Sequence, residues 1–321
     1  MRDLTINGTD LRVSAVCMGT AMLGSTVSAA DSVARLSRFA DRGGTFLDTA
    51  HVYADWVPDV EPSVSEKTIG RWLRTRPDRD RIVVATKGGH RLMDSEVPTL
   101  HPEELSEQIE CSRQNLNLDC LPLYYLHRDD PTLPVDLIMD TLFEQQDLGR
   151  IRYLACSNWR QGRVIRANEY AARCGRTGFV AVSNRWSLAR CREGAQDPTL
   201  ADMNDDFYDF HCRTGMAAIP FSSTAGGYLS KLLAGKSISD SQRECYDLPE
   251  NPARAARAAK LAADHGLTVA QIALCYFYAQ PFPAIPVTAF SNDAQMDEAL
   301  ESVSVRLTEE EYRYLTGGQK W

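Results

Sequence analysis

Three observations predict that this chain folds as one α/β domain, a (β/α)8 TIM barrel with an N-terminal β-hairpin and extended loops at its carboxyl face. Strand-like runs and helical patterns alternate along most of the 321 residues, which is typical of a parallel sheet with crossover helices. Eight barrel strands are predicted, and eight is the number that closes such a barrel. The length also fits, because this fold needs about 250 residues and often carries insertions.

The N-terminal element is predicted to be a β-hairpin. Asn7-Gly8 lies between the short apolar runs 4–6 and 11–13, and Asn-Gly is the strongest short signal for a two-residue hairpin turn. The barrel strands are predicted at residues 15–20, 45–48, 82–87, 121–127, 152–157, 179–184, 216–222 and 284–287. No change of composition marks a linker, so residues 1–321 are predicted to form a single domain.

Helices are predicted between the strands, among them those at residues 29–41, 66–74, 102–115, 135–148 and 162–172. Gly43, Gly149 and Gly175 each follow one of these stretches, where a left-handed residue commonly ends a helix. Two connections exceed the minimum for a barrel: residues 188–215 join the sixth and seventh strands, and residues 223–252 follow the seventh. Loops after strands carry function in barrels, so both are candidate cofactor or substrate flaps, unless they are ordered surface excursions.

The composition argues against a nucleic-acid or membrane partner. The formal net charge is −8, the pI is about 5.3 and no Lys/Arg-rich run is present, so no surface for phosphate backbones is predicted. The N-terminus lacks the apolar stretch of a signal peptide. The most apolar region, residues 268–287, is interrupted by glutamines and prolines and is unsuited to spanning a bilayer.

The cysteines and histidines predict neither a disulfide framework nor a metal site. The nine cysteines are an odd number and form no Cys-x-x-Cys pair, so reduced thiols and a cytoplasmic location are expected. No zinc-ligand spacing is present, because His211 and Cys212 are adjacent and would face different ways in a helix or strand. No feature of the sequence predicts an oligomeric state.

Four chemically suited side chains follow successive predicted strands. Asp48 ends the second strand and Tyr53 lies in the loop after it, while Lys87 and His127 end the third and fourth. The carboxyl ends of barrel strands converge on one face, so these side chains are predicted to meet. Any one of them alone is more often structural, but the ordered set favours a catalytic site.

These residue types suit proton transfer to a carbonyl that accepts a hydride. A tyrosine with a pKa near 10 is a poor acid at neutral pH, and a nearby lysine cation lowers that pKa. A carboxylate beside a buried lysine keeps the lysine charged. We therefore expect Tyr53 to be the general acid/base, tuned by Lys87 and Asp48. His127 is expected to donate to the substrate oxygen.

The four residues resemble the Asp, Tyr, Lys, His tetrad of the aldo-keto reductases, and the resemblance covers nearly the whole chain. It implies nicotinamide-dependent interconversion of a small-molecule carbonyl (an aldehyde, a ketone or a sugar-like compound) and its alcohol. Cys156-Ser157-Asn158-Trp159 is similar to the family segment whose Ser-Asn pair binds the nicotinamide carboxamide. Ser183-Asn184-Arg185-Trp186-Ser187-Leu188 resembles its Gln-x-x-Tyr-Ser-Leu segment. Trp186 would then stack on the nicotinamide, while Ser183 replaces the usual Gln.

Other segments resemble the rest of the family's cofactor site. Pro220-Phe221-Ser222-Ser223, followed by Gly226-Gly227, resembles the Tyr-Ser-Pro-Leu plus glycine segment along the pyrophosphate, without its proline. Ile285-Pro286 and Gln295-Met296 resemble the adenosine-phosphate end. The resemblance thus implies cofactor contacts from Gly19, Thr20, Asp48, Ser157, Asn158, Ser183, Trp186, Phe221, Ser222, Pro286, Thr288 and Gln295.

The substrate is expected to contact Tyr53 and His127, with further residues of the same rim forming the pocket wall. The candidates for that wall are Trp56, Trp159, His90 and Arg91. The two tryptophans are equally compatible with core or rim packing.

The cofactor is expected to be NAD(H) or NADP(H), with NAD(H) slightly favoured. Family members that prefer the 2′-phosphate typically carry Lys or Arg after Ile-Pro and again near the position of Gln295, because the phosphate needs compensating charge. No Lys or Arg occurs in residues 261–305, whereas Asp293, Asp297 and Glu298 lie nearby. A carboxylate there would accept a hydrogen bond from a free ribose 2′-hydroxyl.

Three alternatives remain open at this point. In the first, the acidic residues only form the solvated start of a helix, and Lys231, Lys236 or Arg243 supplies the positive charge for a 2′-phosphate. In the second, the protein is an NAD-dependent sugar or polyol dehydrogenase that retains its cofactor. In the third, the protein is a cofactor-binding, redox-sensing regulatory subunit with little turnover. An intact tetrad disfavours this third alternative.

Overall fold

The computed structural model describes residues 2–90 and 100–321, and its strands form a hairpin and a barrel. The hairpin strands are β1 (Asp3–Thr5) and β2 (Arg12–Ser14). The barrel strands are β3 (Cys17–Gly19), β4 (Phe46–Asp48), β5 (Val83–Gly88), β6 (Leu121–Leu126), β7 (Ile151–Ser157), β8 (Phe179–Ser183), β9 (Ala217–Ala218) and β10 (Val287–Thr288). Neighbouring barrel strands are parallel and follow chain order, and β10 pairs with β3.

The α-helices surround this sheet. They are α1 (Ala29–Asp41), α2 (Val64–Leu73), α3 (Pro102–Leu116), α4 (Val135–Asp147), α5 (Gln161–Arg173), α6 (Asp205–Thr214), α7 (Tyr228–Leu233), α8 (Asp240–Tyr246), α9 (Asn251–His265), α10 (Val269–Tyr278), α11 (Asp293–Ser302) and α12 (Glu309–Thr316). The five helices predicted from the sequence are present, with ends that differ by two residues at most. None of the described helices is both long and apolar enough to cross a membrane.

The last two strands are much shorter than predicted, yet they close the barrel. A parallel bridge joins Ala218 to Ala284, Ile285 N donates to Ala218 O at 2.8 Å, and Val287 N donates to Pro220 O at 2.9 Å. Regular pairing is short here because the segments 216–222 and 284–287 contain prolines, which have no N–H to donate. The predicted (β/α)8 barrel is confirmed.

The predicted N-terminal hairpin is also confirmed, but its two-residue turn is wrong. Ile6 N donates to Leu11 O at 3.1 Å, so the loop contains the four residues from Asn7 to Asp10. Thr9 N donates to Ile6 O, and the Thr9 hydroxyl accepts a hydrogen bond from Leu11 N at 3.0 Å. The Thr9 side chain thus accepts a backbone hydrogen bond that strand pairing would accept in a hairpin with a two-residue turn.

Two apolar clusters hold the barrel together. One lies between the strands and the helices and includes Leu36, Ile69 and Trp72. The other fills the barrel interior with inward residues such as Phe46 and Leu123, and it includes Ile6, Leu11 and Val13 of the hairpin. Because the hairpin packs with this interior cluster, it closes the amino end of the barrel. The long segments 188–215 and 223–252 carry α6 and α7–α8, respectively, at the carboxyl end.

A close contact between two helices yields a stability prediction. A Cβ atom at Gly70 of α2 would overlap the backbone oxygen of Asn115 in α3, whereas one at Gly162 of α5 would meet open space. We expect Gly70→Ala to lower the free energy of unfolding by about 1–3 kcal/mol through overpacking. Gly162→Ala, the matched control, should change it by less than about 1 kcal/mol. Urea unfolding that gives both variants equal stability would contradict the helix contact.

Candidate active site

Asp48, Tyr53 and Lys87 meet at the carboxyl end of the barrel. Lys87 Nζ donates to Asp48 Oδ1 at 2.6 Å, to Tyr53 Oη at 2.9 Å and to Thr49 O at 2.9 Å. Tyr53 Oη donates to Asp48 Oδ1 at 3.1 Å. The adjacent parallel strands β4 and β5 bring Asp48 and Lys87 together, and a turn in which Tyr53 N donates to Ala50 O brings the tyrosine back. Each pair within this trio is therefore in direct contact.

The ion pair within this trio is removed from water. Both Asp48 and Lys87 are buried, and burial alone would lower the pKa of the lysine. The Asp48 carboxylate and Tyr53 more than offset this, so the pKa of Lys87 lies above its ordinary value. Lys87 therefore remains a cation at physiological pH.

The pKa of Tyr53 differs from the sequence-based expectation. Burial and the Asp48 carboxylate raise the pKa of Tyr53 to about 12, although Lys87 acts in the opposite direction. The sequence indicated the lysine but not the extent of burial, and burial of a phenol disfavours its charged form. Tyr53 consequently holds its proton throughout the neutral pH range.

His127 lies against the same tyrosine. Its backbone N donates to Gly88 O at 2.7 Å, which aligns it with the end of β5. Its ring centroid is 5.9 Å from that of Tyr53 and 4.7 Å from that of His90. Burial, together with Arg128, Lys87 and His90, holds the pKa of His127 well below its ordinary value. Its Nδ1 has no hydrogen-bond partner within residues 2–90 and 100–321, so the neutral ring can bind a further polar group.

The two tryptophans predicted for the pocket have different environments. Trp56 is 43% exposed, and its ring packs edge-on against Tyr53 at 6.2 Å, so it lies on the rim of the site. Trp159 is fully buried, its Nε1 donates to Arg128 O at 3.2 Å, and the Arg163 guanidinium covers its ring. Trp159 is therefore enclosed by protein, and this packing does not favour the predicted contact with substrate. Arg91 lies outside the described residues.

Ser157 and Asn158 belong to a hydrogen-bonded network at the ends of β7 and β8. Asn158 Nδ2 donates to His127 O at 3.1 Å and to Ser157 Oγ at 3.0 Å, and Ser157 Oγ donates to Ser183 O at 2.6 Å. Asn158 N donates to Asn184 Oδ1 at 2.9 Å. This network links the cofactor-binding candidates to the backbone of His127.

Two polar atoms beside this network have no partner in the described part of the chain. They are Ser183 Oγ and Asn184 Nδ2, both buried. A buried amide without a partner is costly, so these atoms are available for a ligand. Asn184 is a further candidate that was not expected from the sequence, although its position directly after a strand-like run and beside Ser183 was a usable signal.

Trp186 occupies the apolar core and not the mouth of the barrel. Its side chain is 2% exposed. Its ring lies among four aromatic rings, and its Nε1 donates to Tyr276 Oη at 3.0 Å. The surrounding rings are those of Tyr208, Tyr276, Phe277 and Phe282. The partly exposed aromatic residue nearby is Phe221, which bridges to Arg185 after β9. The expectation that Trp186 stacks on a nicotinamide does not fit this packing.

Gly19 and Thr20 stabilise the site from the side of β3. Thr20 N and Oγ1 both donate to Asp48 O, at 3.0 and 2.8 Å, and the hydroxyl also contacts Ser65. A Cβ at Gly19 would come within 3.1 Å of a Val287 methyl group, so glycine permits the close approach of β10. Thr20 thus fixes the end of β4, and its hydroxyl is already engaged within the protein.

A cavity of about 460 Å³ lies between α7, α10 and α11. Its lining includes residues of both segments that were expected to bind the pyrophosphate and the adenosine end of the cofactor. These residues are Gly226, Gly227, Thr288 and Gln295. Pro286 is buried beneath it and its carbonyl accepts from Cys17 N at 3.0 Å. Ser222 is exposed with a φ of 54°, a left-handed conformation that is strained for a serine. Thr288 and Gln295 thus line the same cavity, and their contact with a cofactor stays a prediction.

The acidic residues near this cavity do not all face it. Asp297 pairs with Arg38 at 2.5 Å and with Arg42 at 3.4 Å, and Asp293 pairs with Arg38 at 3.6 Å. These carboxylates are directed toward α1. Glu298 and Lys231 do line the cavity. Of the three acids noted in the sequence, only Glu298 lines the cavity, and a lysine lines it as well.

No group of three or more His, Cys, Asp or Glu side chains is placed to hold a metal ion within the residues that the structure describes.

Comparison with known proteins identifies a family that matches most of the chain. The model of the aldo/keto reductase family matches residues 15–318. The aldo-keto reductase ausK of Aspergillus calidoustus is 28% identical, over 95% of this chain and 78% of its own length. The norsolorinic acid reductase stcV of Emericella nidulans is 27% identical, over 94% and 77% of the two chains.

Two further matches are a relative whose name includes its cofactor and a solved structure with a similar fold. An aryl-alcohol dehydrogenase [NADP(+)] of Phanerodontia chrysosporium is 28% identical, over 74% of this chain and 60% of its own length. The crystal structure of the thermostable aldo-keto reductase Tm1743 with the inhibitor epalrestat superposes with a TM-score of 0.75. It covers 99% of this chain and 100% of that chain at 19% identity, which supports the fold.

The different environments of two tryptophans can be tested. Trp186→Ala should lower the free energy of unfolding by about 3–5 kcal/mol, because it removes a large buried ring. Trp56→Ala, at the exposed rim, should change it by no more than about 0.5 kcal/mol. Urea unfolding monitored by far-UV circular dichroism measures both. A Trp186→Ala variant as stable as Trp56→Ala would contradict the core assignment.

Proposed function

This chain belongs to the aldo/keto reductase family of oxidoreductases, and we propose that it interconverts a carbonyl and its alcohol with Tyr53 as the general acid/base. The observation that carries the proposal is the position of the Tyr53 hydroxyl, 2.9 Å from Lys87 Nζ and 3.1 Å from Asp48 Oδ1. A hydroxyl held between a cation and a carboxylate can release and regain a proton without moving.

In the direction of carbonyl reduction, Tyr53 starts with its proton in place. Its raised pKa keeps it protonated at neutral pH. As the proton leaves for the substrate oxygen, negative charge develops on Oη beside the Lys87 ammonium, which stabilises it. Asp48 keeps that ammonium charged. Alcohol oxidation needs the phenolate first, so its rate should increase as the pH rises toward the pKa of Tyr53.

His127 completes the proposed proton-transfer site. Because its pKa is lowered, the imidazole is neutral and can act as a hydrogen-bond donor to the substrate oxygen without adding positive charge. The edge-to-face contact of its ring with Tyr53 would orient that oxygen toward the phenol.

The residues present fit a nicotinamide cofactor. Four buried polar atoms at the mouth have no partner in the described part of the chain, namely Asp48 Oδ2, His127 Nδ1, Ser183 Oγ and Asn184 Nδ2. Asn158, Ser183 and Asn184 would hold the carboxamide, and Phe221 would offer the aromatic face first expected from Trp186. Gly226, Thr288 and Gln295 would hold the far end of the dinucleotide. When bound in its reduced form, the nicotinamide supplies the hydride.

An aromatic aldehyde or ketone is the proposed substrate class. The exposed ring of Trp56, edge-on against Tyr53, and the paired rings of His90 and His127 form aromatic walls around the proposed acid. Aromatic walls favour flat, apolar ligands. The name of the relative that is an aryl-alcohol dehydrogenase also favours this class.

Removing one hydroxyl tests the acid. Tyr53→Phe should lower kcat for aromatic aldehyde reduction by about 10²–10⁴-fold, the usual contribution of a general acid, and should leave cofactor binding unchanged. Tyr125→Phe is the matched control, because Tyr125 also lies near Lys87 but its buried hydroxyl has no partner in the described structure. That control should keep near-normal turnover. A folded Tyr53→Phe enzyme with wild-type kcat would disprove the assignment.

NAD(H) is proposed to bind at least as well as NADP(H). Lys231 and Glu298 both line the cavity at the adenosine end, so the lysine cation is offset by a carboxylate. Lys231 Nζ is also bound to Gln242 Oε1 at 2.8 Å. Glu298→Gln should therefore improve NADP(H) binding by roughly tenfold while changing NAD(H) binding little, since a phosphate is repelled by a carboxylate. Asp293→Asn is the control. Fluorescence titration that finds tighter NADP(H) binding to the unmodified protein would contradict the proposal.

A further inference from the structure

Two cysteines meet where the two long segments at the carboxyl end contact each other. Cys191 lies in the segment after β8, and Cys245 lies in α8. Arg192 N donates to Cys245 O at 2.8 Å, which ties the two backbones together. Each thiol also affects the pKa of the other, as expected for side chains that lie close together. A disulfide requires sulfur atoms about 2.0 Å apart on neighbouring backbones, and the backbone hydrogen bond from Arg192 to Cys245 holds the two segments side by side.

The two thiols differ in access and in surroundings. Cys191 is partly exposed, whereas Cys245 is buried. Cys245 Sγ accepts a hydrogen bond from Arg185 Nη1 at 3.5 Å, and Arg185 is itself buried and held by Asp202. A guanidinium beside a sulfur favours the thiolate. A small reagent can therefore reach Cys191, while Cys245 is placed to react next.

The helix that carries Cys245 also supports the cavity wall. Gln242 Nε2 donates to Ala225 O at 2.9 Å and to Gly226 O at 3.0 Å, and Gln242 Oε1 accepts from Lys231 Nζ. Gly226 and Lys231 line the 460 Å³ cavity. Fixing α8 to the segment after β8 would thus restrict the movement of that wall.

We propose that Cys191 and Cys245 form a reversible disulfide when exposed to a small-molecule disulfide, and that this bond slows release of a dinucleotide from the cavity. The second half of this statement rests on the proposed function, whereas the first half does not.

The reaction is a pair of thiol–disulfide exchanges. The Cys191 thiolate attacks the reagent RSSR, forming a Cys191–SR bond and releasing one RS⁻, which takes up a proton. The Cys245 thiolate then attacks the Cys191 sulfur and releases the second RS⁻. Two protein thiols are oxidised to one disulfide and RSSR is reduced to two RSH. Burial raises the pKa of both thiols, and Arg185 opposes this, so the rate should increase with pH.

Peptide mapping tests the bond. The full-length protein is equilibrated with glutathione disulfide, free thiols are alkylated, and the unreduced digest is analysed by mass spectrometry. We expect a peptide containing Cys191 joined to one containing Cys245, with the loss of two hydrogens. Cys191→Ser and Cys245→Ser should each abolish it. Cys212→Ser, which alters an exposed cysteine on α6, should not. Modification of the exposed cysteines without this cross-link would overturn the proposal.

Stopped-flow release of bound cofactor tests the consequence. The rate constant for release should fall on the order of 3- to 10-fold in the oxidised protein, because a cross-link restricts local opening, and dithiothreitol should restore it. Cys191→Ser should show no redox dependence. Equal release rates from oxidised and reduced protein would overturn the link to the cavity. A protein that forms the cross-link but binds neither nicotinamide dinucleotide would support the disulfide and refute the proposed function.

Discussion

The buried ion pair of Lys87 and Asp48 is the interaction on which the rest of the site depends. A lysine removed from water would lose its proton without a carboxylate partner, and a carboxylate left alone there would be strongly destabilised. The barrel satisfies both by placing them on adjacent parallel strands, with Thr20 fixing the end of one strand. Tyr53 then contacts a fixed cation and a fixed anion, and its acidity is set by their opposed effects together with burial.

The sequence predicted this part of the molecule because local patterns determine it. Asp48, Tyr53, Lys87 and His127 follow strand-like runs, and in a parallel barrel that position alone brings them to one face. The features that the sequence could not predict depend on packing between residues from different elements. Trp186 is drawn into the core by rings from α6 and α10, Trp159 is enclosed by Arg128 and Arg163, and Asp297 pairs with arginines of α1. Apart from Arg163, which lies four residues after Trp159, these partners are distant in sequence.

The two long segments, identified from length alone, have a defined architecture. Residues 188–215 support the ends of β7 and β8, because Ala201 N donates to Asn158 Oδ1 at 3.2 Å. Residues 224–231 form a wall of the 460 Å³ cavity, and Gln242 of α8 holds this wall through hydrogen bonds to Ala225 and Gly226. Their contact, made by Arg192, Cys191 and Cys245, connects the proposed nicotinamide end of the site to its adenosine end. The two long segments are therefore in direct contact at the carboxyl end.

The central claim is that Asp48 and Lys87 act on Tyr53 as one unit, and a double-mutant cycle tests it most directly. The kcat of carbonyl reduction would be measured for Asp48→Asn, Lys87→Met and the double variant. Because Asp48 and Lys87 contact each other and both contact Tyr53, the double variant should lose less activity than the product of the two single losses. A loss equal to the product of the two single losses would show that the residues act independently and would contradict this account.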